Sequence, residues 1–251
     1  MTRFDPKFQT QMAVSGEDLT AAQALRYAVF VDELGADGPL VDHVNRLEVD
    51  HFDDHSEQLL LLDLERPVGD QVVGVYRLMD QDAANSAGQF YSQTEYDLDV
   101  LTGSGRRLLE LGRSCLHPEY RGGAAMLHLW QALARLVQDR DTEILFGVAS
   151  FHGCDVAALE QPLSILARDH LAPPDLRVRA TQYQAMNLNS DINRVEAMKQ
   201  VPALIKAYLR LGGFVGDGAF VDKAFNTTDV CLVLDVDRMN ARQKSIYGGR
   251  V

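Results

Sequence analysis

Polar and apolar residues alternate through Phe8, Thr10, Met12 and Val14, which predicts a strand over residues 8–14. The period then lengthens to that of a helix over residues 17–33. Ser15 and Asp18 stand at capping-box spacing before it, with aspartate in place of the usual glutamate, and Gly35 marks its end. Short runs rich in branched aliphatic residues predict strands over 58–64, 71–79, 108–116, 143–149 and 230–236. Helical spacing returns over 125–139, where Met126, Leu129, Trp130, Leu133 and Val137 share one stripe, and over 155–169 and 194–211. Residues 80–105, rich in Asp, Ser, Gly and Gln, read as a long irregular segment of the kind that borders a site. Pro173 and Pro174 mark a loop, and no internal repeat is visible. This succession predicts an α/β (α+β) chain: a mixed sheet with helices on both faces.

Composition narrows the function classes. At 251 residues and 46% hydrophobic content the chain can fill a sizeable core. No apolar run approaches the roughly 20 residues of a membrane span, and the N-terminus lacks a signal-peptide core, so a cytoplasmic location is expected. The net charge of −12 argues against nucleic acid, whose binding wants a basic face. The charge is unevenly spread, with 6 basic residues against 20 acidic up to Gly105 and 18 against 16 from Arg106 onward. Late basic residues, chiefly Arg121 with Arg106 and Arg107, and also Arg177, Arg179, Lys206 and Arg210, are therefore candidates for docking an acidic partner or an anionic surface. The tail, with Arg242, Lys244 and Arg250, permits peripheral contact with the inner membrane. Cys115, Cys154 and Cys231 are odd in number and lack metal-ligand spacing, so they read as reduced thiols with no metal site implied.

Chemistry concentrates in LLELGRSCLHPEYRGGAAM, residues 108–126, where an apolar strand carrying Glu110 leads through a turn into the helix that begins near Ala125. The N–H groups of Gly122, Gly123 and Ala124 would face an anion at that helix N-terminus, with Arg121 adding a full charge. Glu110, between Leu109 and Leu111, would have its pKa raised by desolvation and so suit a general base. The alternative reading is a structural ion pair with Arg113. Strict alternation puts Glu110 and Arg113 on opposite faces, so either a bulge turns one of them or they serve different roles. Backbone N–H groups near Cys115 and Leu116 are candidates for the oxyanion of a tetrahedral intermediate. Cys115 with His117 on the same face is a weaker nucleophile reading.

His117 to Arg121 and the glycines that follow resemble the acyl-donor loop of the GNAT acyltransferase superfamily. Ala124 stands where that loop's middle glycine belongs and Met126 where its last small residue does, a departure better suited to a donor with one phosphodiester than to coenzyme A. Leu25, Arg26, Tyr27, Val29 and Phe30, then Glu48, Asp50 and Asp53, then Gly74 and Arg77, then Glu110 and Arg113 fall in the order seen in acyl-homoserine-lactone synthases. Gly35 stands near their tryptophan, and the chain runs past their usual length. With FYSQTEYDL and the segments RVEAMKQVPALIKAYLRLGGFV and AFVDKAFNTTDVCLVLDVDRM, the whole resembles the bacterial ornithine N-acyltransferases.

That resemblance implies one GNAT-like domain over 1–251 with a mostly antiparallel central sheet, and an extension over about 151–251 completing the site. It also implies transfer of a 3-hydroxyacyl group from the phosphopantetheine arm of an acyl carrier protein to the α-amine of L-ornithine, with no other cofactor. Glu110 and Arg113 would be catalytic, and Cys115, Leu116, Arg121, Gly122, Gly123 and Ala124 would hold the donor. Arg26 and Arg77 are then candidates for the acceptor's carboxylate, and Asp50, Asp53, Glu95 and Asp97 for its side-chain ammonium. Glutamine as acceptor, homoserine lactone synthesis, and a non-catalytic carrier-binding module remain as alternatives.

Overall fold

The computed structural model describes residues 6–240 and Arg242; of the basic tail, Lys244 and Arg250 lie outside the described residues. Its first strand, β1 (Phe8–Met12), stops two residues short of the predicted end, because Val14 and Ser15 turn to cap α1 (Gly16–Arg26). The capping box forms as its spacing implies: the Asp18 N–H donates to Ser15 Oγ at 3.1 Å, and Asp18 Oδ2 accepts the Ser15 N–H at 3.1 Å. The predicted helix continues past α1, but as a π-helix over Tyr27–Glu33, and Gly35 ends it at φ +73° while its N–H bonds the Val31 carbonyl.

Strands β2 (Glu57–Asp63), β3 (Val72–Asp80), β5 (Leu108–Leu116), β6 (Ile144–His152) and β10 (Thr227–Asp235) form the central sheet with β1 and the short β8 (Phe214–Val215) and β9 (Phe220–Asp222). The order is β1-β2-β3-β5-β6-β10-β8, with β9 also on β10. Every pairing is antiparallel except β5 with β6. Because β10 pairs with β6 along its whole length, the C-terminal part of the chain belongs to the same sheet as the N-terminal part. A separate two-stranded pair joins β4 (Tyr96–Asp97) to β7 (Arg179–Ala180).

Helix α4 (Ala125–Asp139) buries Leu129, Leu133 and Val137 on one face of the sheet, beside α5 (Glu160–Asp169) and α7 (Ala203–Arg210). Helix α1 covers the other face over β3 and β5, so helices do lie on both faces. Two expectations fail for local reasons. The helix predicted over 194–211 breaks into α6 (Arg194–Gln200) and α7 at Val201–Pro202, since proline excludes the helical conformation from the residue before it. The segment 80–105 is mostly ordered, with α2 (Gln81–Ala87), a 3₁₀ turn at Tyr91–Thr94, β4 and α3 (Asp99–Thr102) packed through Phe90, Tyr96 and Leu101.

Candidate active site

Strands β5 and β6 run side by side only from Leu108↔Ile144 to Glu110↔Phe146 and then part. At the fork, Gly147 lies so close to β5 that a Cβ there would stand 2.1 Å from the Leu111 carbonyl oxygen. Beyond it opens a cleft of about 240 Å³ bounded by Leu111–Ser114 on one side and Phe146–Ser150 on the other. Apolar side chains close it from both faces of the sheet: Phe30 and Leu34 from the π-helix, Tyr76 from β3, and Leu204 and Tyr208 from α7.

The puzzle of Glu110 and Arg113 is resolved by a bulge. Register passes from Arg77↔Gly112 to Val75↔Cys115, one residue more on β5 than on β3, and Arg113 takes φ +49°. Arg113 is thereby turned toward Glu48 and Asp50 and into the cleft wall; Ser114, whose buried hydroxyl has no hydrogen-bond partner among the described residues, also lines the cleft.

Behind the cleft lies a buried network of three guanidinium groups and three carboxylates. Arg26 is wholly buried and bonds Glu48 at 2.5 Å and Asp53 at 2.7 Å. Arg77 grips both oxygens of Asp50 at 2.6 and 2.7 Å and reaches Asp53 at 3.3 Å. Arg113 bonds Glu48 at 3.1 Å and Asp50 at 2.8 Å. Burial alone would push the Asp50 carboxyl up, but the charges of Arg77 and Arg113 outweigh it and hold the group well below the usual carboxylate range. The Tyr91 ring lies 5.2 Å from the Arg77 guanidinium and 4.6 Å from that of Arg113.

This arrangement corrects several sequence assignments. Arg26, Arg77, Asp50 and Asp53 pair with one another behind the cleft and are absent from its lining, which Arg113 of the same network reaches. Glu110 is fully buried, and its oxygens accept the N–H groups of Tyr91 at 2.9 Å and Ser92 at 2.6 Å. Burial raises its pKa, as the strand pattern implied, against the pull of those donors. Its carboxylate is nonetheless absent from the cleft wall, where its place on β5 would suggest it. Cys115 points the other way, under α1 among Ala22, Leu25 and Val75, and burial pushes its thiol up to about 12; it is no nucleophile here. Leu116 packs into the main core. The bulge residues 112–114, not 115 and 116, therefore border the cleft.

The donor loop is nearer to expectation. Residues 121–124 are exposed, Gly122 takes φ +75°, and α4 starts without a side-chain cap, leaving its first N–H groups open. Arg121 is shared, since it forms a two-pronged pair with Glu33 at 2.6 and 2.7 Å. Arg106, Arg107 and Arg179 likewise pair with Asp235, Glu143 and Asp217, so the late basic residues are largely matched in place.

The cleft also borders a group that the sequence only partly disclosed. Oxygens of Glu95, Asp222 and Asp229 lie within 4.8 Å of one another, an arrangement able to hold a cation. Asp222 and Asp229 line the cleft, and Glu95 is buried beside them; Asp97 is exposed on β4 and takes no part. Burial, reinforced by the charges of Asp229 and Asp222, raises Glu95 well above its ordinary value. Burial with the Asp222 charge pushes Asp229 up to about 6, against the hydroxyls of Ser150 and Thr227. Asp229 was missed because it lies just before the strand predicted over 230–236, which in the fold begins at Thr227. Glu48, which joins Arg26 to Arg113, was visible only through the resemblance.

Raised carboxyl values make the fold hold protons that the unfolded chain has released, so Asp229 lowers stability as pH rises from about 4 through about 6, and Glu95 acts in the same direction. Burial lowers the pKa of His170, which acts in the opposite direction. The comparison with Asp229→Asn isolates the cluster: the variant should gain more stability relative to the parent at pH 7.5 than at pH 5 in urea titrations. A difference independent of pH would contradict it.

Comparison with known proteins places the chain. The acetyltransferase (GNAT) domain pattern matches residues 25–131. The L-ornithine N(alpha)-acyltransferase of Rhodobacter capsulatus is 55% identical over 97% of this chain and 96% of its own. This chain belongs to the L-ornithine N(alpha)-acyltransferases. The Brucella abortus protein of the same name is 42% identical over 96% of this chain and 88% of its own. Among solved structures, the acyl-homoserine lactone synthase LasI superposes with a TM-score of 0.54 at 17% identity, covering 98% of both chains, which shows a shared fold. The chain is thus an acyltransferase with a GNAT-like sheet. Among the described residues no helix is long and apolar enough to cross a membrane.

Proposed function

We propose that this acyltransferase moves a 3-hydroxyacyl group from the phosphopantetheine thioester of an acyl carrier protein to the α-amine of L-ornithine, by direct attack within the β5–β6 cleft. The observation that carries this reading is the fork itself. It offers strand-edge backbone to an extended pantetheine arm, an apolar pocket to an acyl chain, and one cation, Arg113, among the described residues of its wall. The uncapped start of α4 beside Arg121 supports a phosphate at the cleft mouth. A single phosphodiester asks less of a loop whose arginine is already paired with Glu33.

In the reaction the amine forms its C–N bond as the C–S bond breaks; of the two protons lost by the α-ammonium, one goes to solvent and one to the departing thiolate. Arg113 faces the acceptor's α-carboxylate. The unpartnered Ser114 hydroxyl and the N–H groups of the bulge are the donors closest to a thioester carbonyl lying in the fork. Glu110 is here a positioning residue: its carboxylate fastens the Tyr91–Thr94 turn, which carries Tyr91 onto Arg77 and Arg113.

Mass spectrometry of the purified protein with 3-hydroxyacyl carrier protein and ornithine should detect N-acyl ornithine; product from acyl-coenzyme A alone, or with glutamine alone, would overturn the donor or the acceptor. In the same assay Glu110→Gln should lower kcat/KM by roughly tenfold or more, because one buried N–H loses its acceptor. The acidic limb of the pH–rate profile should stay where it is in the parent enzyme. Disappearance of that limb would instead make Glu110 the proton acceptor.

A further inference from the structure

The acidic cluster carries a feature that its composition alone would not. Both oxygens of Glu95, a residue only 2% exposed, lack any hydrogen-bond partner among the described residues, and so does Oδ1 of Asp229, 3% exposed. Asp222 is held by the Ala224 and Phe225 N–H groups at 2.8 and 3.0 Å, and it lines the cleft with Asp229. Three carboxylates thus converge beside an accessible cavity with no arginine or lysine pairing among them, whereas every carboxylate of the neighbouring network has one. Burying unpaired carboxylates is costly, and a fold that retains Glu95 and Asp229 beside a third carboxylate is suited to a cation supplied from outside.

We propose that Glu95, Asp222 and Asp229 form the subsite for the acceptor's side-chain ammonium, so that the cleft selects an amino acid ending in a primary amine. This rests on the reading of the cleft as the acyl-transfer site. The geometry matches such a group. A nitrogen centred on three oxygens at most 4.8 Å apart lies no more than about 2.8 Å from each, the length of a charge-assisted N–H···O bond, and an ammonium has three N–H groups to give. Arg113 borders the same cleft as the cation for the α-carboxylate, which leaves the α-amine between the two anchors and beside the fork. The groups facing the cluster are Arg113 of β5, Tyr91 of the preceding turn, Ser150 of β6 and Thr227 of β10. Since burial and the Asp222 charge push Asp229 up to about 6, ammonium binding should release protons and strengthen as pH rises through about 6.

The test compares ornithine with norvaline, which has the same carbon chain without the terminal amine, in kcat/KM with acyl carrier protein donor. Glu95→Gln and Asp229→Asn should each lower the ornithine-to-norvaline preference by about tenfold to a hundredfold, the effect of losing one charged hydrogen bond. Asp222→Asn, at a less buried position, should act in the same direction and keeps the test usable if either buried variant fails to fold. An unchanged ratio, or an equal fall with both acceptors, would overturn the subsite. Loss of ornithine transfer in chelator, restored by calcium, magnesium or manganese, would make the cluster a metal site and overturn it equally. If the parent enzyme forms no N-acyl ornithine, the acyl-transfer reading fails on its own. Calorimetric binding of free ornithine, present in the parent and weakened in Glu95→Gln, would still report the subsite, and equal binding by both proteins would overturn it.

Discussion

Arg26→Met is expected to destabilise the protein by about 3–5 kcal/mol, the range for removing one partner from a buried ion pair. The side chain is wholly buried, and its guanidinium joins Glu48 to Asp53 at 2.5 and 2.7 Å. Methionine fills much of the same volume but leaves two carboxylates without their common cation, in a place water does not reach. Glu48 also bonds Arg113, and Asp53 also bonds Arg77, so the disturbance passes to the cleft wall without any contact between residue 26 and substrate. Arg26→Lys should recover only part of the loss, because a point charge cannot bridge both carboxylates as a planar fork does. Urea titration measures the effect, and a loss below about 1 kcal/mol would place Arg26 among exposed ion pairs in energetic terms.

The second large effect is expected at Gly147. Alanine there would put a methyl group 2.1 Å from the Leu111 oxygen and 3.1 Å from its carbon, both backbone atoms that cannot swing aside. The strands must separate at the point where their pairing now ends, which displaces the bulge carrying Arg113 and Ser114. Acyl transfer should fall about a hundredfold, as expected for an ångström of misplacement at a reacting centre. Overpacking should lower stability by about 1–3 kcal/mol. Kinetics and thermal melting on Gly147→Ala test both parts, and full activity in a stable variant would show that the fork tolerates widening. No comparable effect is expected at Gly122, where a Cβ meets open space, although φ +75° still disfavours a side chain.

The two effects separate the roles around the cleft. The arginine–carboxylate network braces the wall from behind, with Arg113 the member of it that borders the cleft, while the fork and its bulge set where the reacting groups meet. Glu110 belongs with the first group. It lies on the strand that sequence reasoning chose for it and is as buried as that reasoning required, yet its oxygens are engaged by the chain's own N–H groups.

Local pattern was enough for most elements. Ser15 and Asp18 specified the start of α1, Gly35 the end of the helical run, and the Leu129, Leu133 and Val137 stripe the buried face of α4, because caps and periodicity depend on residues within a turn or two of one another. The alternation that separated Glu110 from Arg113 was sound as a local rule. What broke it was the extra residue that β5 inserts against β3, a property of the paired strands rather than of either alone.

The same division holds for the site. The resemblance singled out Arg26, Asp50, Asp53 and Arg77, but the fold sets them behind the cleft, each paired with a segment distant in the chain. Glu95 was legible as a candidate only because of its setting. Its companions Asp222 and Asp229 come from the β9–β10 hairpin, brought beside it by sheet pairing and by Tyr96, whose hydroxyl lies 2.9 Å from the Asp229 carbonyl. Which charges cancel and which are left for a ligand is decided by three-dimensional proximity in a medium of low dielectric. Spacing along the chain does not encode that, whereas the strands and helices that create the proximity are written in it.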